Sequence, residues 1–163
     1  LPGKVLLPIL GRPMLELMIE RLRRVPAIDE IVVATTSDPS CRLIEALTKE
    51  LGVGCFRGSE EDVLDRVLQA ARLSFAGLIV QTTGDCPLID PVLIQKGIDQ
   101  YLEEGDISLY LSNTLERTYP RGFDFEIFSF QLLERAFQSA VEPFDKEHVT
   151  PYIWKNKSGK VGA

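Results

Sequence analysis

Histidine and cysteine are scarce in this chain, and basic residues are outnumbered. His148 is the sole histidine, which excludes a multi-histidine metal centre. Cys41, Cys55 and Cys86 are odd in number and lack metal-ligand spacing, so they build neither a disulfide framework nor a zinc site and suit a reducing cytoplasm. No apolar run approaches the roughly 20 residues of a membrane helix, and Leu6 to Leu10 is too short for the core of a signal peptide. The expected location is the cytoplasm, with no membrane partner. A net charge of −6 argues against nucleic acid, whose phosphates demand clustered lysine and arginine. GxSxG, GxGxxG and GxxxxGK[ST] are all absent, which removes the common hydrolase, dinucleotide and P-loop signatures.

What is present is a pattern of alternating helices and strands. The 163 residues, 45% hydrophobic and 26% charged, suffice for one domain spanning 1–163 with a substantial core. Leu15, Met18, Ile19 and Leu22 recur at helical spacing behind Pro13, predicting a helix from Met14 to Val25. The β-branched run from Glu30 to Thr36 reads as a buried strand, followed by a helix from Ser37-Asp38-Pro39 to about Leu51. A brief strand, Gly54 to Arg57, precedes Ser59 and Asp62, whose spacing fits a capping box for a helix to about Ser74. Further strands are predicted at Leu78 to Thr82, Ile107 to Ser112 and Phe123 to Phe128. Helices are predicted at Pro91 to Glu104, Gln131 to Ser139 and Lys146 to Lys155. Lys160 to Ala163 reads as the start of another strand. This alternation implies an α/β fold of three layers, α/β/α, around a mostly parallel sheet. A doubly wound sheet also calls for a strand ahead of Leu1, so the sequence reads as a fragment at both ends.

The segment Thr83-Gly84-Asp85-Cys86-Pro87-Leu88-Ile89-Asp90-Pro91 follows the apolar run Leu78-Ile79-Val80. Asp85 thus falls at the carboxyl end of a buried strand, where parallel α/β sheets hold their ligands. A carboxylate there either caps the next helix or holds a hard cation such as Mg²⁺. Asp90-Pro91 already has the form of the cap and first turn, which leaves Asp85 for other work.

Leu1-Pro2-Gly3-Lys4, Gly11-Arg12-Pro13-Met14 and Gly84-Asp85-Cys86-Pro87-Leu88-Ile89 together resemble the CMP-sugar-acid cytidylyltransferases, which activate 3-deoxy-manno-octulosonate and acylneuraminate. Four further segments resemble the spore-coat polysaccharide branch. They are Ile31 to Thr36, Gly58-Ser59-Glu60-Glu61-Asp62-Val63-Leu64-Asp65-Arg66, Tyr119-Pro120-Arg121-Gly122 and Glu147-His148-Val149-Thr150-Pro151-Tyr152. The resemblance implies a nucleotide-diphospho-sugar transferase fold and transfer of CMP from CTP to an acidic sugar, with release of pyrophosphate and Mg²⁺ as cofactor. It also implies a homodimer formed through residues 113–122. Family members carry a Gly/Ser/Arg-rich loop ahead of the Leu-Pro-Gly-Lys segment and a second metal-binding aspartate on a later strand, so this chain alone is expected to bind CTP poorly. Two other readings share the fold: a nucleotidyltransferase for another nucleotide triphosphate or a sugar phosphate, and a non-catalytic binding or regulatory domain.

Each candidate residue has an alternative. Through the resemblance, Lys4 meets the nucleotide's phosphates, although alone it is an ordinary solvated lysine. Asp85 matches the metal-binding aspartate. Gly58 and Ser59 fall at a nucleotide-proximal segment, where a freed loop and a helix cap explain them equally well. Arg121 is placed to grip a sugar carboxylate bidentately, or is a surface arginine. Glu147 and His148 open a predicted helix as substrate-orienting groups, or as cap and packing residues. Asp124 and Glu126 share a strand face that could approach a second cation or a sugar hydroxyl, but that reads more readily as solvated.

Overall fold

The structure is a computed structural model and describes residues 3–156 and 160–162. After a short 3-10 turn at Lys4–Leu6, strands β1 (Pro8–Ile9) and β2 (Arg12–Pro13) form a small antiparallel hairpin that feeds helix α1, Met14–Leu22. Leu15, Met18, Ile19 and Leu22 are its buried face. The helix stops short of the predicted Val25 because Pro26 disfavours helical geometry in the residue before it. Val25 is nonetheless buried, reached through turns in which its N–H donates to the Leu22 carbonyl.

Strand β3 (Val32–Thr36) pairs in parallel with β4 (Gly54–Gly58), from Val32 opposite Gly54 to Thr36 opposite Gly58. Helix α2 (Arg42–Leu51) makes the crossover and ends on Gly52 at φ 66°, a left-handed cap that only glycine adopts readily. Helix α3 (Val63–Leu73) then leads to β5, Leu78–Gln81. Helix α4 (Pro91–Glu104), β6 (Leu109–Ser112), β7 (Glu126–Ser129) and α5 (Phe130–Ser139) follow, then α6 (Pro143–His148), α7 (Pro151–Asn156) and β8 (Lys160–Gly162).

The second sheet has the order β5-β7-β6-β8 and is mixed. Strand β7 runs antiparallel to both neighbours, whereas β6 and β8 are parallel. No helix lies between β6 and β7, so the chain returns directly, as an antiparallel connection permits and a parallel one does not. Among the described residues no ladder joins β3 to β5; α3 packs against β3, β4, α5 and α6 and so spans both sheets.

Period-two alternation distributes the core. Leu78, Val80, Leu109, Leu111 and Ile127 face α1 and α4, while Ile79, Tyr110 and Phe128 face α3, α5 and α7. This gives the three α/β/α layers. Gly97 lets α4 lie close on β7, since a Cβ there would stand 2.6 Å from the Phe125 ring. Among the described residues no helix is long and apolar enough to cross a membrane.

The predicted helix from Lys146 to Lys155 is two helices, α6 and α7. Pro151 bars helical geometry at Thr150, and the chain instead makes a γ-turn, with Val149 at φ 70°, ψ −59° and the Thr150 N–H donating to the His148 carbonyl at 2.9 Å. His148 therefore closes α6 and does not open a helix. The cap of α3 also differs from the capping-box expectation: Asp62 itself is the N-cap, accepting from the Asp65 N–H at 2.9 Å, and Ser59 Oγ accepts from the Asp62 N–H one turn earlier.

Candidate functional site

Lys4 and Asp85, 81 residues apart, meet at the tip of β5, with Lys4 Nζ donating to Asp85 Oδ2 at 2.5 Å. Local sequence explains the approach. Gly3, at φ 70°, turns the chain into the 3-10 segment, and Gly84 keeps the turn after β5 bare, so that it packs beside Val5 and Leu15. Asp90 takes the capping role, its carboxylate accepting from the Val92 N–H at 2.8 Å, and Asp85 stays a third exposed at the mouth of the turn. The Lys4 hydrogen bond holds the Asp85 carboxyl below its ordinary range, helped by Thr83. The same bond raises the Lys4 ammonium, so both remain charged at neutral pH. Burial pushes the neighbouring Cys86 thiol up, leaving it protonated.

Three strands end together beside this pair. Gln81 of β5 stands opposite Glu126 of β7, which stands opposite Ser112 of β6. Alternation puts this polar row on the face whose next row inward is Ile79, Phe128 and Tyr110. Glu126 is half-buried there and does not lie on a solvated strand face. Tyr110 donates its hydroxyl to Glu126 Oε1 at 2.9 Å and Thr150 donates to the same oxygen at 3.1 Å. Burial lifts the Glu126 carboxyl above its ordinary range, and the charge of Asp124 adds to the shift. Arg117 grips Asp124 with bonds of 2.7 and 3.1 Å.

Glu126 forms one wall of a cavity of about 510 Å³, lined also by Thr114, Leu115, Phe144, His148, Thr150, Pro151 and Trp154. That volume is within the range of small-molecule sites. The γ-turn at Val149 sets His148 and Thr150 on either side of a buried valine and delivers both to the cavity. A smaller cavity, about 260 Å³, lies near the start of β3 and β4, away from these groups.

The remaining sequence candidates scatter. Arg121 is exposed in the loop before β7, and Glu147 is exposed outside the cavity lining while His148 is within it. Gly58 ends β4, where a Cβ would come within 2.8 Å of the Phe56 ring; its carbonyl accepts from the Ser37 N–H. Ser59 is exposed and engaged with Asp62. Sequence reasoning missed Arg117, Gln81, Tyr110 and Thr150. Only strand register could have aligned Gln81 with Glu126, since 45 positions of chain separate them in the numbering.

The residues present fit Mg²⁺ in one specific manner. Among the described residues no three His, Cys, Asp or Glu side chains group to hold an ion. Mg²⁺ typically takes one or two carboxylates and completes its shell with water and substrate phosphates, which a single accessible Asp85 beside a lysine suits.

The chain is 33% identical over 158 residues to the spore coat polysaccharide biosynthesis protein SpsF of Bacillus subtilis, covering 94% of this chain and 64% of that protein. It is 32% identical over 109 residues to a 3-deoxy-manno-octulosonate cytidylyltransferase of Geobacter metallireducens, covering 66% and 42%. The chain spans less than two thirds of the length of the curated relatives it matches. The solved structure of a cytidylyltransferase from Leptospira borgpetersenii superposes with a TM-score of 0.94 at 37% identity, covering 99% of this chain and 68% of that one. A family model described as cytidylyltransferase matches residues 1–160, and the chain belongs to that family.

Proposed function

We propose that this chain carries the acceptor side and part of the nucleotide side of a cytidylyltransferase, which moves CMP from CTP to an acidic sugar and releases pyrophosphate, in the synthesis of a surface polysaccharide. The observation that carries the reading is the Lys4–Asp85 pair, an exposed cation and an accessible carboxylate held together at a strand tip. Membership of the family and likeness to relatives named for spore-coat polysaccharide and 3-deoxy-manno-octulosonate support it.

In this reaction an acceptor hydroxyl oxygen forms a bond to the α-phosphorus as the bond to pyrophosphate breaks. Catalysis rests on positioning and charge stabilisation, without a covalent nucleophile. Lys4 supplies a flexible point charge for the phosphates, and its stem allows it to leave Asp85 for an incoming oxygen. Arg121, exposed and planar, is the group to grip the sugar carboxylate. Mg²⁺ held by Asp85 would offset the charge of the triphosphate.

The test is pyrophosphate release by the full-length protein with CTP, Mg²⁺ and a panel of sugar acids, beside Asp85→Asn and Lys4→Met. Each substitution should cut turnover by about 10² or more while leaving the fold intact. Full turnover in Asp85→Asn would remove that carboxylate from the chemistry.

A further inference from the structure

Helix α6 (Pro143–His148) buries little apolar surface. Its one buried residue is Asp145, and Phe144, its largest apolar side chain, is 47% exposed and joins none of the buried core clusters among the described residues. An element with so few buried apolar contacts has low local stability, so its placement depends on contacts at its edges. Lys146 reaches the Asp62 carboxylate at the cap of α3, at 3.5 Å, and ties α6 to that helix. The Phe144 ring meets the His148 imidazole edge to face, with centroids 4.4 Å apart. Lys155, in the last turn of α7, sets its ammonium 3.8 Å from the Phe144 centroid and 5.3 Å from that of Trp154. No carboxylate pairs with this ammonium among the described residues, so the ring faces, negative by their quadrupole, are what hold it. Phe144 belongs to α6 and Trp154 to α7, and both line the cavity beside Glu126, whereas Lys155 lies outside that lining. The cation thus spans, from outside, two helices joined at the γ-turn of Val149, whose φ of 70° is strained for a β-branched residue.

We propose that Lys155 is a positioning residue, a charge-dependent latch that pins α6 to α7 and so fixes where Phe144 and His148 stand at the cavity wall. Its strength is that of an exposed cation–π contact, on the order of a two- to fivefold preference for the latched over the released arrangement. Loss of the ammonium frees Phe144 and breaks its edge contact with His148. The proposal rests on the cytidylyl-transfer reading only where turnover is measured.

His148 is the sole histidine of the chain, and its imidazole proton resonances carry the ring-current shift of Phe144. Lys155→Gln removes the charge and Lys155→Arg keeps it; lysine, glutamine and arginine have similar helix propensity, so α7 is preserved in both. Phe144→Leu removes the ring. In the full-length protein without ligand, at one fixed pH, the His148 resonances of Lys155→Gln should move toward those of Phe144→Leu, while Lys155→Arg should match the unsubstituted protein. In the Phe144→Leu background Lys155→Gln should leave the His148 signal in place, which separates a latch from a lysine that merely complements the carboxyl end of α7. Pyrophosphate release with CTP, Mg²⁺ and a sugar acid is read in parallel. Lys155→Gln should raise a substrate KM about two- to fivefold at unchanged kcat, because saturating substrate restores the latched form. Unmoved His148 resonances in Lys155→Gln, a Lys155→Arg protein that behaves like Lys155→Gln, or moved resonances with every KM unchanged would overturn the proposal. Moved resonances in a protein that releases no pyrophosphate defeat the cytidylyl reading alone and leave the latch standing.

Discussion

Replacing Tyr110 by phenylalanine tests how Glu126 is held. The Tyr110 ring is fully buried, stacked on Phe128 with centroids 6.3 Å apart, and its substitution keeps every packing contact except the hydroxyl oxygen. What is lost is the 2.9 Å bond to Glu126 Oε1, leaving Thr150 as the remaining donor. A hydrogen bond to a charged partner is worth about 1.5–3 kcal/mol, and one between neutral groups about 1 kcal/mol. At pH 8, with Glu126 ionised, Tyr110→Phe should therefore cost about 2 kcal/mol, or roughly 4–8 °C in Tm for a domain of this size. Burial raises the Glu126 carboxyl above its ordinary 4.5, so at pH 4 it is largely protonated and the cost should fall to about 1 kcal/mol. The sign follows from linkage: a carboxyl raised on folding contributes stability that is fully present below pH 4.5 and is lost as pH rises through its folded value. Removing a donor that favours the charged form deepens that loss at high pH. Denaturation followed by circular dichroism at the two pH values measures it. A Tyr110→Phe protein as stable as wild type at pH 8, or one penalised equally at both, would refute the account.

Two other outcomes follow from packing and surface. Gly97→Ala gains about 1 kcal/mol of helix propensity but sets a methyl 2.6 Å from the buried Phe125 ring, an overpacking that costs about 1–3 kcal/mol, so Tm should fall by a few degrees; a rise would show that the ring moves freely. The loop 113–122 leaves Leu115 and Tyr119 exposed, and we propose that a second copy covers it, so light scattering should give a dimer that Tyr119→Glu dissociates. A monomer at micromolar concentration in the unsubstituted protein would dispose of that interface.

Much of the fold could be read from residue order, because its signals are local. The helical stripe behind Pro13, the β-branched run at 31–33 and the cap at Asp90-Pro91 each declare their element within a few positions. Asp85 was legible for the same reason: one cap suffices, so the other carboxylate was free. Lys4 came from family likeness as a cation for the phosphates, and its pairing with Asp85 was not legible, since nothing local links positions 81 apart. Glu126 was read as solvated because alternation tells which residues share a face but not what covers that face. The covering came from Thr150 and α7, placed by a γ-turn that period counting passes over. The antiparallel course of β7 was hidden likewise, since strand patterns carry no sign of direction.

That γ-turn has a wider bearing. Val149 is β-branched, its φ is 70°, and its side chain is sunk in the interior, so anchoring in the core holds a peptide that local preference would release. A glycine there would remove the conformational penalty and, with it, the anchor fixing the directions of the flanking imidazole and threonine. Thermostabilisation campaigns that treat every left-handed non-glycine as a defect to repair would, at this one peptide, be filing down the tooth that gives the lock its shape.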